Sequence, residues 1–189
     1  LGTNNAKEYI DLAALALISD MMDIRDFETI EYIRQGLASI RNPFFQAMVH
    51  KQEYSLKDGL SPINIAFYIT PYINATIRVG SQEEKKIMFE SMLEMYSEDL
   101  IPSTKRGCKG QFETRVEQAC RNCMNIKKHQ GQERDKEAER IEKIIEEENL
   151  LENKILAVRL PEGDVNKNLT GLIANELMSK YQKPTLLLS

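Results

Sequence analysis

Four groups of residues in this sequence have the types and spacing to do chemistry. Asp20 lies near the end of the run from Tyr9 to Met22, which is nearly apolar all round and reads as a buried helix. An acid in such a helix needs a partner, and a neighbouring amide at the helix end is one candidate. Asn74 and Arg78 are four residues apart, so a helical turn puts them on one face. On their own they describe a surface Arg with a capping Asn. Cys108, Cys120, Cys123 and His129 contain a C-x2-C step followed by His, a pattern used by zinc. Cys120 and Cys123 fall inside a helical repeat, however, where Cys packs as a small apolar residue, and zinc is rejected here on that ground. Finally, Lys105, Arg106, Lys109, Arg115 and Arg121 gather positive charge. Alone they form a solvated loop and helix face; at the root of a long helix they make a candidate nucleic-acid groove.

The elements that must position these groups follow from periodicity and capping. Asp26 caps a second helix with the stripe Ile30, Ile33, Leu37 and Ile40. Asn42-Pro43 starts a third through Phe44, Phe45, Met48 and Val49. Ser61-Pro62 opens a fourth that Pro71 interrupts. Ser81 and Glu84 form a capping box for a helix expected to reach about Glu98, with Ile87, Met88, Met92, Leu93 and Met95 facing a core. Pro102 to Gly110 reads as a basic loop. The segment Phe112 to Leu151 reads as one helix, about 60 Å long if continuous. Its apolar residues cluster at both ends, and 127–136 is polar on every side, which describes a strut crossing solvent between two lobes. From Lys105 to Lys128 there are seven Lys or Arg against two Glu, and from Glu133 to Glu152 nine acids against four bases, so the strut is electrically polarised. Lys154 to Leu160 reads as a strand, Pro161 to Asp164 as a turn, Asn168 as the cap of a helix to Tyr181, and Pro184 to Leu188 as a second strand. That order favours a right-handed parallel unit, and two strands alone do not make a stable sheet. The expectation is a fragment, or a chain that a partner completes.

The fold class expected is therefore α+β and mostly helical, a helical lobe joined by a long interdomain helix to a small partial α/β lobe. A hydrophobic fraction of 42% supports real cores. No apolar run is long enough to span a bilayer, and the start at Leu1–Asn5 lacks the basic and apolar regions of a signal peptide. Three cysteines suit a reducing compartment, so a cytoplasmic location without membrane attachment is the default. A net charge of -4 argues against bulk coating of nucleic acid, leaving a local basic patch as the means of binding.

Two stretches resemble one family. Asp11-Leu12-Ala13-Ala14-Leu15-Ala16-Leu17-Ile18-Ser19-Asp20 resembles the fourth motif of the RecJ-type DHH phosphoesterases, D-L-x-A-L-x-x-I-A-D. Gly171-Leu172-Ile173-Ala174-Asn175-Glu176-Leu177 with Tyr181-Gln182-Lys183-Pro184 resembles their DHH-associated domain, G-I-V-A-S-R-L and Y-x-R-P. Between them Ile73-Asn74-Ala75-Thr76-Ile77-Arg78 is similar to R-I-N-A-A-G-R, with Tyr72 in place of Arg and Ile77 in place of Gly. The resemblance implies a catalytic-domain part over 1–103, a basic loop and connecting helix over 104–152, and the start of the associated domain over 153–189.

It further implies hydrolysis of single-stranded DNA with two divalent ions, Mn2+ or Mg2+, in an intact parent. Asp20 would be one ligand of that centre, and Asn74 and Arg78 would hold the scissile phosphate. The D-x-D and D-H-H motifs that supply the other ligands do not occur in this sequence. The chain alone is therefore expected to bind metal weakly and to be inactive. The DNA strand and a missing N-terminal part of the catalytic domain are the expected partners. Asn166 and Val165 stand where the family has His and Trp, and Asn166, Lys167, Asn168 and Thr170 could still donate to phosphates beside a helix N-terminus. Two other readings are a non-catalytic module that binds single strands or a protein partner, and a phosphodiesterase for short oligonucleotides or cyclic dinucleotides.

Overall fold

Local side-chain signals set most helix starts. The computed structural model describes residues 6–57 and 59–188, apart from the side chains of Glu94 and Met95; the Leu1–Asn5 start, Ser189 and the expected core role of Met95 lie outside the described set. The chain divides into two compact units, Leu1–Lys127 and Lys128–Ser189. Its described residues are mostly helical with two two-stranded sheets, in agreement with the expected class.

The first unit begins with α1 (Ile10–Ser19), α2 (Phe27–Ala38) and α3 (Pro43–Lys51). Asp26 caps α2 by accepting from the Thr29 amide at 2.9 Å, and Asn42 caps α3 by accepting from the Phe45 amide at 3.1 Å. Next come α4 (Pro62–Tyr68), capped by Ser61, and α5 (Thr70–Val79). The expected capping box opens α6 (Gln82–Ser91): the Glu84 amide donates to Ser81 Oγ at 3.2 Å and the Ser81 amide to Glu84 Oε2 at 2.8 Å. This helix does not reach Glu98. Asn42 Nδ2 donates to the Met92 carbonyl at 2.8 Å, satisfying an acceptor the helix leaves open, and the chain breaks before a short α7 (Glu94–Ser97). Leu93, expected inside, is accordingly exposed.

The buried acid of α1 is Asp11 rather than Asp20. Asp11 is 1% exposed; its Oδ2 accepts from the Arg41 and Asn42 amides, each at 2.7 Å, and its Oδ1 from the Leu12 amide at 2.8 Å. Asp20 is exposed at the opposite end of the helix. The helix is apolar by composition but not buried all round, since Ala13 and Ala16 also face out. Beside Asp11, α1 and α2 cross closely: a Cβ on Gly36 would lie 2.5 Å from Ala14 Cβ and 2.5 Å from the Ile10 carbonyl oxygen. The core of this unit joins Leu15, Ile33, Phe44, Phe45, Met48, Ile65, Ile69 and Met88.

After α7 the chain forms a hairpin of β1 (Leu100–Pro102) and β2 (Phe112–Thr114), antiparallel with Leu100 opposite Thr114. The helix expected from Phe112 therefore starts three residues later: α8 (Arg115–Glu147) has 33 residues, about 50 Å. Phe112–Thr114 are taken by strand pairing, and Asn149, at φ 52°, ends the helical path before Leu151. Val116, Ala119, Cys120 and Cys123 complete the first core. The polar stretch 127–136 is not open on every side, because Gln130 is buried.

In the second unit Ala138, Ile141 and Ile145 of α8 are buried, as are Leu156 and Val158 of β3 (Leu156–Arg159) and Leu169, Ile173 and Leu177 of α9 (Lys167–Tyr181). β4 (Thr185–Leu188) runs parallel to β3, with Leu156 opposite Thr185. Leu186 and Leu188 are half exposed, so the two-stranded sheet leaves apolar surface open. The cap of α9 is Asn166, two residues before the expected Asn168, because its Oδ1 accepts from the Asn168 amide at 3.0 Å.

Gly36→Ala tests the helix crossing. In an open helix Ala would stabilise by about 1 kcal/mol, but overpacking against a backbone oxygen costs about 1–3 kcal/mol, so urea denaturation should show net destabilisation. Removing the Asp11 carboxylate loses charge-assisted bonds worth about 1.5–3 kcal/mol each before relaxation. Asp11→Ala should therefore destabilise more than Asp11→Asn, which keeps one accepting oxygen.

Candidate functional site

Asp20 is the C-cap of α1, and its position is set by how that helix stops. The Met22 amide donates to the Leu17 carbonyl and the Met21 amide to the Ile18 carbonyl, each at 3.1 Å, with Met21 at φ 54°. These are the two bonds of a Schellman end, usually completed by Gly, and a Met in this left-handed position stores on the order of 1 kcal/mol of strain. The Asp20 carboxylate has no hydrogen bond or ion pair among the described residues. Next to it, Ser19 Oγ and Thr70 Oγ1 are 3.1 Å apart and tie the end of α1 to the start of α5.

Asn74 and Arg78 both lie on α5, one turn apart as expected. Asn74 is half-buried and Arg78 exposed, and neither side chain has a partner among the described residues. Eight residues separate Thr70 from Arg78, about 12 Å of helical rise, so Asp20 sits by one end of α5 and Arg78 by the other. Tyr72 packs against the core. Ile77 lies in regular helix with its side chain exposed, so the backbone here does not require the freedom of Gly.

The basic hairpin separates into two kinds of cation. Lys105, Arg106 and Lys109 are exposed on a loop shaped by Gly107 and Gly110, at φ 85° and 83°. Arg115 and Arg121 are engaged within the protein. Arg115 pairs with Glu90 and with Asp99 at 3.4 Å, and its guanidinium lies 5.9 Å from the Tyr96 ring centre. Arg121 pairs with Glu113 and donates to Thr104 Oγ1 at 3.2 Å. Glu113 also accepts from Gln118 Nε2 at 2.8 Å, and Gln118 donates to the Pro102 carbonyl at 3.0 Å, so the hairpin is pinned to α8. Burial opposes ionisation of Glu113, but the hydrogen bonds from Gln118, Arg121 and Ser103 outweigh it and hold its carboxyl below the usual glutamate value. An open groove of about 460 Å³ runs along this hairpin, lined by Lys51, Ser103, Lys105, Cys108, Gln111, Phe112, Glu113, Glu117, Arg121 and Met124. Sequence reasoning missed Lys51, which is remote in the chain, and read Phe112 as helical. The hairpin signal was the loop glycines between Leu100-Ile101 and Phe112-Glu113-Thr114.

In the second unit Asn166, Lys167 and Asn168 are exposed at the start of α9, and Thr170 Oγ1 donates to the Lys167 carbonyl at 2.9 Å. Val165, in place of the family's Trp, is buried.

Among the described residues no three His, Cys, Asp or Glu stand close enough to share an ion. Asp20 is one hard oxygen donor and does not fit a dinuclear centre without carboxylates from elsewhere. Cys120 and Cys123 pack in the core as expected, and burial pushes their thiols up to about 12 and about 11.

With this geometry in hand, comparison identifies the architecture. The fold is that of part of the RecJ exonuclease: a crystal structure of RecJ bound to manganese superposes with a TM-score of 0.69 over 99% of this chain and 42% of that one, at 17% identity. RecJ of Thermus thermophilus in complex with Mn2+ gives 0.64 over 96% of this chain and 24% of that one, also at 17% identity. No family model matches the chain. In sequence it is 40% identical over 191 aligned residues, 99% of its length, to the "Putative SPbeta prophage-derived single-strand DNA-specific exonuclease YorK" of Bacillus subtilis (strain 168). The same identity relates it to the "Putative single-strand DNA-specific exonuclease yorK" of Bacillus phage SPbeta. It spans about a third of these relatives, 32% of their length. The RecJ-like resemblance carried by the motifs is therefore borne out. No described helix is long and apolar enough to cross a membrane.

The Glu113 cluster has a pH signature. Because the folded-state value is depressed, its stabilisation is complete above the ordinary value of 4.5 and is lost as pH falls through the lower folded value. The protection of the Thr104 backbone amide and the Gln118 side-chain amide, measured against their intrinsic exchange rates, should fall in acid, and Glu113→Gln should already lower it at neutral pH.

Proposed function

We propose that this chain is part of a RecJ-like exonuclease that degrades single-stranded DNA. The observation that carries the reading is 40% identity along 99% of the chain to a relative named as a single-strand DNA-specific exonuclease. The RecJ fold and the polar side chains Asp20, Asn74 and Arg78, which have no partner among the described residues, support it. In this reading residues 1–103 belong to the catalytic domain, 104–152 to the basic loop and connecting helix, and 153–189 to the associated domain. Asp20 contributes one carboxylate to a centre for Mn2+ or Mg2+ whose other ligands lie in the rest of the longer protein. Asn74 and Arg78 hold a backbone phosphate, Arg78 as a charged fork and Asn74 as a neutral donor. Lys105, Arg106 and Lys109, with Asn166, Lys167, Asn168 and Thr170, contact the strand without reading its sequence. Arg115 and Arg121 act indirectly, by holding the hairpin.

A second reading, a non-catalytic module that binds single strands, is favoured by the solitary carboxylate. Turnover separates the two. The 189-residue chain with manganese and labelled single-stranded DNA should release no nucleotides. In the full-length protein, loss of residues that merely support metal ligands costs about 10–100-fold, so Asp20→Ala should cost at least the upper figure. Arg78→Ala should weaken strand binding by about ten- to a hundredfold. Both side chains are exposed, so melting should change little. Nucleotide release by the chain alone, or full activity of Asp20→Ala, overturns the assignment of Asp20; a full-length protein that binds strands without cutting them establishes the module.

A further inference from the structure

The groove beside the hairpin has a composition that the basic loop alone does not explain. Phe112 lies on its wall yet is 64% exposed, a large aromatic face with no protein covering it. Lys51, from the last turn of α3, and Lys105, from the hairpin loop, line the same groove, and neither ammonium has an acidic partner among the described residues. Of the two acids on the wall, one is ion-paired and the other is hydrogen-bonded to a backbone amide. Glu113 is matched by Arg121, and Glu117 accepts from the Thr114 amide at 2.9 Å. The Gln118 and Arg121 bonds keep β2 in place, so the backbone that carries Phe112 is already held before it meets a ligand. A volume of about 460 Å³ falls in the range of small-ligand sites and suits one nucleotide rather than a duplex.

An exposed ring in a groove that two ammonium groups without acidic partners among the described residues also line matches one unpaired base with its neighbouring phosphates. Every base has a π-face, and stacking on it needs no sequence; lysines serve as point charges for the backbone. A paired base in a duplex cannot present that face. We propose that this groove is a base-stacking subsite for single-stranded nucleic acid, with Phe112 as the platform and Lys51 and Lys105 as phosphate anchors. The inference rests on the strand-binding reading above and adds two residues, Lys51 and Phe112, that the basic cluster does not contain.

Binding of a labelled oligothymidylate to the 189-residue chain, followed by fluorescence anisotropy in EDTA across a salt series, tests it without turnover. Phe112→Ala should weaken binding about tenfold and leave the salt dependence unchanged, whereas Phe112→Tyr should bind like the wild type. Lys51→Ala should weaken binding and reduce the slope of log K against log salt by about 0.7. An abasic strand of equal length should be insensitive to Phe112→Ala. The subsite is overturned if the wild-type chain does not bind, if Phe112→Ala and Lys51→Ala bind like the wild type, or if the abasic strand responds equally to Phe112→Ala. The two readings fail separately: a full-length protein that binds through Phe112 but cuts nothing loses the exonuclease reading only, and one that cuts normally with both residues replaced loses the subsite only.

Discussion

The Asp11 carboxylate holds the first unit in register. A charge this deep costs several kcal/mol in lost hydration, and three backbone amides converging on it, from Leu12, Arg41 and Asn42, offset that cost. Two of the three come from the junction between α2 and α3, so one side chain ties the beginning of α1 to a turn thirty residues away. Asn42 extends the linkage, capping α3 with its oxygen and holding the Met92 carbonyl with its nitrogen. With Gly36 letting α2 lie directly on α1, the path of α1 is determined at its start, and with it the place where Asp20 emerges.

What the sequence made legible was local. Asp26, Asn42, Ser61 and Ser81 each cap a helix through a bond three residues ahead; Asp26 and Ser81 were readable as caps, and Asn42-Pro43 and Ser61-Pro62 as helix starts from their prolines. What it hid depended on partners far along the chain. Asp11 and Asp20 stand at the two ends of one apolar helix, and nothing in their immediate neighbours tells which is buried. Phe112 continues a helical repeat in sequence, yet its fate is decided by Pro102, its partner across the hairpin. Arg115 and Lys105 look equally available until Glu90 and Asp99 are found beside the former.

That division among the cations has a physical basis. The guanidinium fork is planar and weakly hydrated, and it can satisfy two acceptors in a partly buried place, which is where Arg115 and Arg121 lie. The ammonium groups of Lys51 and Lys105 keep their hydration beside the open groove. The hairpin is therefore built with one kind of positive charge and left surrounded by another. Its assembly uses the guanidinium groups and leaves the ammonium groups without acidic partners among the described residues, and because the Arg121 bond also fixes β2, loosening it would move Phe112 as well.

The paired thiols of α8 carry a consequence of another sort. Cys120 and Cys123 sit protonated inside the first core, while Cys108 is half-buried on the hairpin loop. Alkylating reagents must reach the sulfur, so partly exposed Cys108 is open to them in the intact protein and the two helical cysteines wait for the core to part. Their slow labelling makes them a built-in stopwatch for the breathing of this unit.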